Sequence, residues 1–399
     1  MRKLSVRDLP LSGKRVLTRV DFNVPLDKEG NISDSTRIEA SMPTIRYMVE
    51  KGGRIVLMSH LGRPKGKVVA GMSLAPVADK LRSFLRKDVL FATDCIGDPA
   101  MKAALSLKDG DVALLENLRF HREEEANDEK FSRELASLGE VYVNDAFGSA
   151  HRAHASTVGV TRYISLCAAG FLMQKEVEYL GKLLEEPKRP FVAVFGGAKV
   201  SDKIGVVRNL VDKVDKILIG GGMMFTFLAA KGLKIGQSIL EEESIPVAKE
   251  IMERARNKSV ELILPVDCVV SPSVKDAAET RIVPVEEIPE GLAGVDIGPR
   301  TIEQFRGALA GAKTVLWNGP MGVFEIEAYS AGTEAVARML AEATSSGATT
   351  IVGGGDSAAA IVKAGLENRV SHVSTGGGAS LEFLEGLELP GVAALTDKR

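Results

Sequence analysis

The sequence predicts an α/β fold of two domains, each built on its own doubly wound parallel sheet, and three observations lead there. Short β-branched runs recur with helical patterns between them, the alternation that produces parallel sheets. The 399 residues exceed one ordinary core and suit two. Midway, "FLMQKEVEYLGKLLEEPKRP" sets Met173, Val177, Leu180 and Leu184 on one apolar stripe before Pro187 and Pro190 close it. That segment reads as a helix linking the two halves.

Taken in order, the first half offers strands at "RVLTRV" (15–20), "RIVLMS" (54–59), "DVALL" (111–115) and "VYVN" (141–144). The second half offers "FVAVF" (191–195), "KILIG" (216–220), "ELILP" (261–265), "TVLWN" (314–318) and "TTIVGG" (349–354). No repeat of fixed period or low-complexity tract interrupts them. Ligands of doubly wound sheets sit beyond the carboxyl ends of the strands, so chemistry is expected just after these runs.

Composition narrows the function classes. Lys+Arg 51 against Asp+Glu 53 argues against a general nucleic-acid binder, which needs a basic excess. The amino terminus "MRKLSVRDLP" has no apolar core of a secretory signal, and no apolar run approaches the ~20 residues of a membrane span. Cys95, Cys167 and Cys268 are scattered without a C-x-x-C, so a reduced cytoplasmic location is expected.

The post-strand loops of the first half are basic. "VDFNVP" places Asp21 and Asn23 in a polar turn, and "DSTRIEA" offers Ser35 or Thr36 as a helix cap with Arg37 in the first turn. A cation there opposes the helix dipole, which suggests another task for Arg37. "SHLGRP" gives His60 and Arg63, "ENLRFH" gives Arg119, and "GSAHRAHAST" gives His151, Arg152 and His154. One loop arginine means little. Four from loops that meet at one sheet edge suit a small, highly anionic ligand, because guanidinium binds phosphate and carboxylate bidentately. A metal site at "HRAH" is disfavoured, since the intervening arginine would repel a cation.

The second half ends its strands in glycine: "FGGAKVSDK", "GGGMMF", "WNGPMGVFE", "GGGDSAAA" and "STGGGAS". Glycine lets backbone N–H groups approach a phosphate, and a following helix points its positive end at it. Asp356 and Ser357 can cap such a helix, and Asp356 can hold the magnesium that accompanies a nucleotide. The chain has no G-x-x-x-x-G-K-[ST] loop. Gly353, Gly355 and Ala358 match a dinucleotide fingerprint, yet the match falls late in the chain and lacks the acidic residue ~20 positions on. The dehydrogenase reading is therefore set aside.

With both sets in view, the sequence resembles the phosphoglycerate kinase family over essentially its whole length. "RVDFNVP", "SHLGRP", "ENLRFH", "AHRAHAST", "GGAKVSDKI", "WNGPMGVFE", "GGGDS" and "STGGGAS" stand in that family's order and spacing. The resemblance implies two Rossmann-like domains. Residues 1–170 would bind 3-phosphoglycerate or 1,3-bisphosphoglycerate, 171–188 would form the hinge helix, and 189–387 would bind magnesium with ADP or ATP. Residues 388–399 would pack back on the first domain. It also implies a phosphoglycerate site of Asp21, Phe22, Asn23, Arg37, His60, Leu61, Gly62, Arg63, Arg119 and Arg152, with His154 beside it. Lys203 resembles the nucleotide-phosphate lysine and Lys199 the lysine beside the transferred group. Gly294 and Glu325 match nucleoside contacts, and Gly354, Gly355, Asp356 and Ser357 match the phosphate loop. Asp356 would be the metal ligand. Gly376 to Gly378, with Gly377 central, match a turn whose amides approach the moving phosphoryl. A monomer is implied.

Transfer from an acyl phosphate to ADP releases a carboxylate and is attacked by an ionised phosphate oxygen, so no general base is required. Positioning and charge neutralisation must do the catalysis, and Arg37, Lys199, Lys203, Gly355 and Gly377 are the expected parts. Hinge closure would exclude water from the acyl phosphate. A non-enzymatic hinged binding protein would not explain a second, phosphate-directed glycine set. A nucleotide-sugar transferase predicts acidic and aromatic residues where this chain has arginines, with one Trp and five Tyr in all.

Overall fold

A computed structural model describes residues 3–275 and 279–398. The chain divides into two compact units, residues 1–178 with 388–399, and residues 179–387. In the first unit, strands β1 (Arg15–Arg19), β2 (Arg54–Met58), β3 (Val89–Phe91), β4 (Val112–Leu114), β5 (Val141–Asn144) and β6 (Cys167–Ala169) form one sheet in the order β3-β4-β2-β1-β5-β6. Every pairing is parallel. Chain direction across the sheet reverses at β1, which has β2 on one side and β5 on the other. The crevice beyond the end of β1 is thus the place where a ligand fits.

The second unit repeats this plan with β7 (Phe191–Phe195), β8 (Lys216–Ile219) and β9 (Glu261–Ile263). A separate antiparallel sheet of β10 (Asp267–Ser271), β11 (Arg281–Pro284) and β12 (Ala293–Ile297) follows. The chain then returns to the main sheet with β13 (Thr314–Asn318), β14 (Thr349–Gly353) and β15 (His372–Val373), giving the parallel order β15-β14-β13-β7-β8-β9. Its switch point lies between β7 and β13. All residues of β5, β7 and β13 are buried, as expected of strands covered by helices on both faces.

The two doubly wound sheets agree with the predicted fold class, while several elements were not anticipated. β3, β6 and β15 are only two or three residues long, and "CAA" of β6 lacks β-branched residues. β10–β12 form an antiparallel sheet that the βαβ pattern does not foretell. The run 261–265 stops pairing at Ile263, two residues before Pro265.

The linking segment is helical over Phe171–Glu185, and the division between units falls inside it, after Glu178. Its fully buried positions are Met173, Glu176, Leu180 and Leu183, so the inner stripe runs one residue off Val177 and Leu184, which are half-buried. Asp145, just past β5, starts this helix by accepting from the N–H groups of Leu172 and Met173, at 2.9 and 3.1 Å. Residues 388–399 lie with the first unit: the Leu4 N–H donates to the Thr396 carbonyl at 2.8 Å, and Asn144 donates to the Gly391 carbonyl at 3.2 Å.

Candidate functional site: two phosphate-directed half-sites

In the first unit the loops after β1, β2 and β4 are tied together by buried polar side chains. Asn23 Oδ1 accepts from the Gly62 N–H at 2.8 Å, and Ser59 Oγ accepts from the Phe22 N–H at 2.9 Å. Asn117 binds the same loops from below: its Oδ1 accepts from the Leu61 and Arg119 amides, while its Nδ2 donates to the Leu61 and Met72 carbonyls. Phe22 and Leu61 are buried with their amides occupied, so they shape the loops rather than face a ligand.

Charge sits on this frame in pairs. Arg37 Nη1 meets Asp21 Oδ2 at 2.5 Å, which answers the misfit of a cation at a helix start. That helix, Thr36–Glu50, has Ser35 at its N-cap as expected, but the Ser35 side chain makes no capping bond, and Asp34 Oδ1 takes the Thr36 N–H at 2.8 Å instead. Arg119 is buried, donates to the Gly62 carbonyl at 2.9 Å and lies 3.2 Å from Glu125. Arg63 and Arg152 project into solvent. His60 and His154 are both buried, and burial, reinforced by surrounding arginines, holds both imidazoles neutral. The pKa of His154 falls to about 4, and that of His60 falls well below the usual value. Beneath them lies Arg19, fully buried at the end of β1 and bonded to His60. The arginine inside "RVLTRV" is the sequence signal for it, since a strand buried on both faces has no other use for a cation.

In the second unit the loops after β7, β8, β13 and β14 surround a cavity of about 340 Å³. Its wall is largely apolar, with Met224, Phe225 and Ile239 on one side and Gly294, Glu325 and Asp356 among the others. Glycine is required where these loops touch. Gly319 has φ +100°, and a Cβ on it would stand 2.2 Å from the Gly196 carbonyl oxygen. A Cβ on Gly294 would stand 2.0 Å from Phe225 Cζ, so the ring fills the space that a side chain would take.

The lysines precede the helix rather than ride on it: it spans Ile204–Leu210, with Lys203 at its cap and exposed Lys199 earlier in the loop. Lys203 donates to Asn318 Oδ1, and burial lowers its pKa against the opposing pull of Asp202 and Asp356. The other amide atom of Asn318, Nδ2, is buried without a partner among the described residues. Asn318 therefore holds Lys203 and keeps a donor free beside Gly354, a role the motif "WNGPMG" did not disclose. Helix Gly355–Lys363 has Gly354 at its cap with no side-chain bond. Ser357, expected to cap it, accepts from the Gly319 N–H at 2.5 Å instead and locks the β13 loop to the β14 loop. Asp356 is exposed in the first turn and makes no hydrogen bond or ion pair among the described residues. A free carboxylate beside phosphate-directed amides suits magnesium, which takes one or two carboxylates and completes its shell with phosphate and water. Gly377, with φ +53°, caps helix Gly378–Leu384 at the end of β15, outside the cavity wall.

The phosphoglycerate kinase family model matches residues 6–387. The chain belongs to the phosphoglycerate kinase family. Phosphoglycerate kinase of Pelodictyon phaeoclathratiforme is 60% identical and that of Chlorobaculum tepidum 58%, each over 397 residues and the full length of both chains. Among solved structures, phosphoglycerate kinase from Coxiella burnetii superposes with a TM-score of 0.89 at 42% identity, and that from Pyrococcus horikoshii with 0.85 at 33%. Each covers 98% of both chains. The chain is thus a kinase of glycolysis that moves a phosphoryl group between the carboxyl of phosphoglycerate and ADP. No described helix is long and apolar enough to cross a membrane.

Proposed function

We propose that the first unit holds 3-phosphoglycerate or 1,3-bisphosphoglycerate and the second holds ADP or ATP with magnesium. The observation that carries this reading is the chemical contrast between the two units, one with Arg37, Arg63, Arg119 and Arg152 on its strand-end loops over two buried histidines, the other with an apolar cavity bordered by glycines and Asp356 and with Lys203 nearby. An apolar slot suits a nucleoside base, whereas a cluster of guanidinium groups suits a small polyanion.

In this reading Arg63, Arg119 and Arg152 bind the remote phosphate, with His154 beside them. Asp21 and Asn23 orient the glycerate, and Asp21 presents Arg37 to the reacting carboxyl. Gly62 offers backbone only. Glu325 takes the ribose, Gly294 borders the base, and Gly354, Gly355 and Ser357 shape the phosphate loop. Magnesium held by Asp356 would neutralise charge on the nucleotide phosphates. Lys203, Lys199, Arg37 and the amides of Gly355 and Gly377 would then hold the equatorial oxygens of the phosphoryl in flight. No residue need exchange a proton, because the attacking and leaving oxygens are both anions. The two half-sites meet by closure about the segment 171–188, which is helical over Phe171–Glu185, and the active form is a cytoplasmic monomer.

The assignment is tested by separate Michaelis constants. Arg63→Ala should raise KM for 3-phosphoglycerate about tenfold or more and leave KM for ATP alone, and Glu325→Ala should do the reverse. A shift of the opposite KM in either variant would overturn the division of ligands.

A further inference from the structure

Arg19 leaves His60 no choice of tautomer. The guanidinium Nε donates to Ser156 Oγ at 2.9 Å, Nη1 donates to the Val20 carbonyl, and Nη2 lies 3.0 Å from His60 Nδ1 and 3.4 Å from Ser149 Oγ. Guanidinium has five donors and no acceptor, and it does not deprotonate in proteins. The lone pair in the contact with Nδ1 must therefore belong to the imidazole, and the ring proton sits on Nε2. A charged imidazolium, protonated on both nitrogens, would set two donors against each other. Arg19 cannot turn away to relieve that conflict. Ser156 Oγ donates to Glu124 Oε1 at 2.5 Å and the Ser156 N–H donates to Oε2 at 2.9 Å, so the buried Glu124 anchors the chain from the far end. Nε2 of His60, in contrast, has no hydrogen-bond partner among the described residues.

We propose that Arg19 is a positioning residue for the phosphoryl-transfer reaction: it fixes His60 as a neutral Nε2–H donor aimed at the anionic substrate and withholds it from acid–base exchange. The groups that face His60 act in the same direction. Burial first, and with it Arg19, Arg119, Arg37 and His154, disfavours a second proton on the ring. The consequence is that His60 adds no pH dependence of its own to phosphoglycerate affinity across neutral pH, where an ordinary histidine would titrate and the ligand's own phosphate does. This rests on His60 belonging to the phosphoglycerate half-site, as proposed above.

Side-chain ¹⁵N–¹H correlation spectra of the full-length protein read the tautomer directly, with His60→Gln assigning the signal. The expected result is an Nε2–H form that stays neutral through the range around pH 6.5 where an ordinary histidine titrates. An Nδ1–H form, or a titration of His60 within that range, would overturn the proposal without requiring any further variant. Arg19→Gln, which can accept as well as donate, should bring mixed tautomers and a KM for 3-phosphoglycerate that changes with pH, while kcat moves less. A level KM and an unaltered tautomer in that variant would also overturn it. His60→Gln keeps an N–H at the position of Nε2, so it should raise this KM less than His60→Leu, for which about tenfold is expected. If the spectrum has the Nε2–H form yet neither His60 variant moves KM, the placement of His60 against substrate fails while its tautomer stands.

Discussion

Replacing Gly294 by alanine should damage nucleotide binding and nothing else, by an amount that follows from the geometry. The added Cβ would stand 2.0 Å from Phe225 Cζ and 2.7 Å from Cε1. Carbon atoms in contact sit ~3.5–4 Å apart, so one partner must retreat by roughly 1.5 Å. The backbone is held: the Gly294 N–H donates to Ser238 Oγ at 2.9 Å, and Gly294 pairs with Val270 across β12 and β10. The ring must move, and the open volume beside it is the cavity of about 340 Å³. Overpacking of this kind costs about 1–3 kcal/mol, which at ~1.4 kcal/mol per tenfold amounts to roughly 5- to 150-fold. We expect Gly294→Ala to raise KM for ATP about tenfold, with KM for 3-phosphoglycerate unchanged, in steady-state assays that vary each substrate in turn. Phe225→Leu in the same chain should recover most of the loss, since the two residues are in contact and their effects do not add. A folded Gly294→Ala protein with wild-type KM for ATP, or one that Phe225→Leu fails to rescue, would refute the reasoning.

Three further outcomes follow from the same contacts. His154 is held neutral by burial, with its pKa reduced from 6.5 to about 4. The unfolded chain takes up that proton as pH falls below about 6.5, so stability is lost between there and about pH 4, by on the order of 3 kcal/mol; urea midpoints of His154→Gln should lose that part of the slope. Asn117→Ala removes bonds to Leu61, Met72 and Arg119, so it should cost about 2–4 kcal/mol in urea unfolding and raise KM for 3-phosphoglycerate. Asn318→Ala frees Lys203 and should lower kcat about tenfold with a smaller change in KM for ATP, as read by initial rates.

Much of this was legible in the residues, because a parallel sheet buried on both faces needs continuous apolar runs and its ligands need special residues at the strand ends. "FVAVF" followed by "GGAK" is both at once. β10 to β12 escaped because an antiparallel sheet beside the main one has, among the described residues, no α-helix between its strands and only a short 3-10 turn at Val285–Glu287, and Ile282 on β11 is exposed. The candidate site was legible where an unusual charged residue stands at a helix start, as with Arg37, Lys203 and Asp356. It was illegible where a polar residue is buried to hold another in place. Asn117 and Asn318 look like two turn residues, and Arg19 stands out only as a cation in an apolar run; their partners show which groups they hold, His60 for Arg19, the Arg119 amide for Asn117 and Lys203 for Asn318. Ser357 illustrates the same limit: its type and place suggest a cap on its own helix, and it serves the neighbouring loop instead.

The central claim is that positively charged groups, without a general base, carry the chemical step. It is tested most directly by kcat of Lys203→Ala at saturating ATP and 3-phosphoglycerate, alongside the dissociation constant for ATP. The account predicts a fall in kcat of about 10²- to 10³-fold with a much smaller loss of ATP affinity, because the lysine serves charge that develops in the transition state. Turnover near the wild-type rate, or a loss confined to ATP affinity, would contradict it.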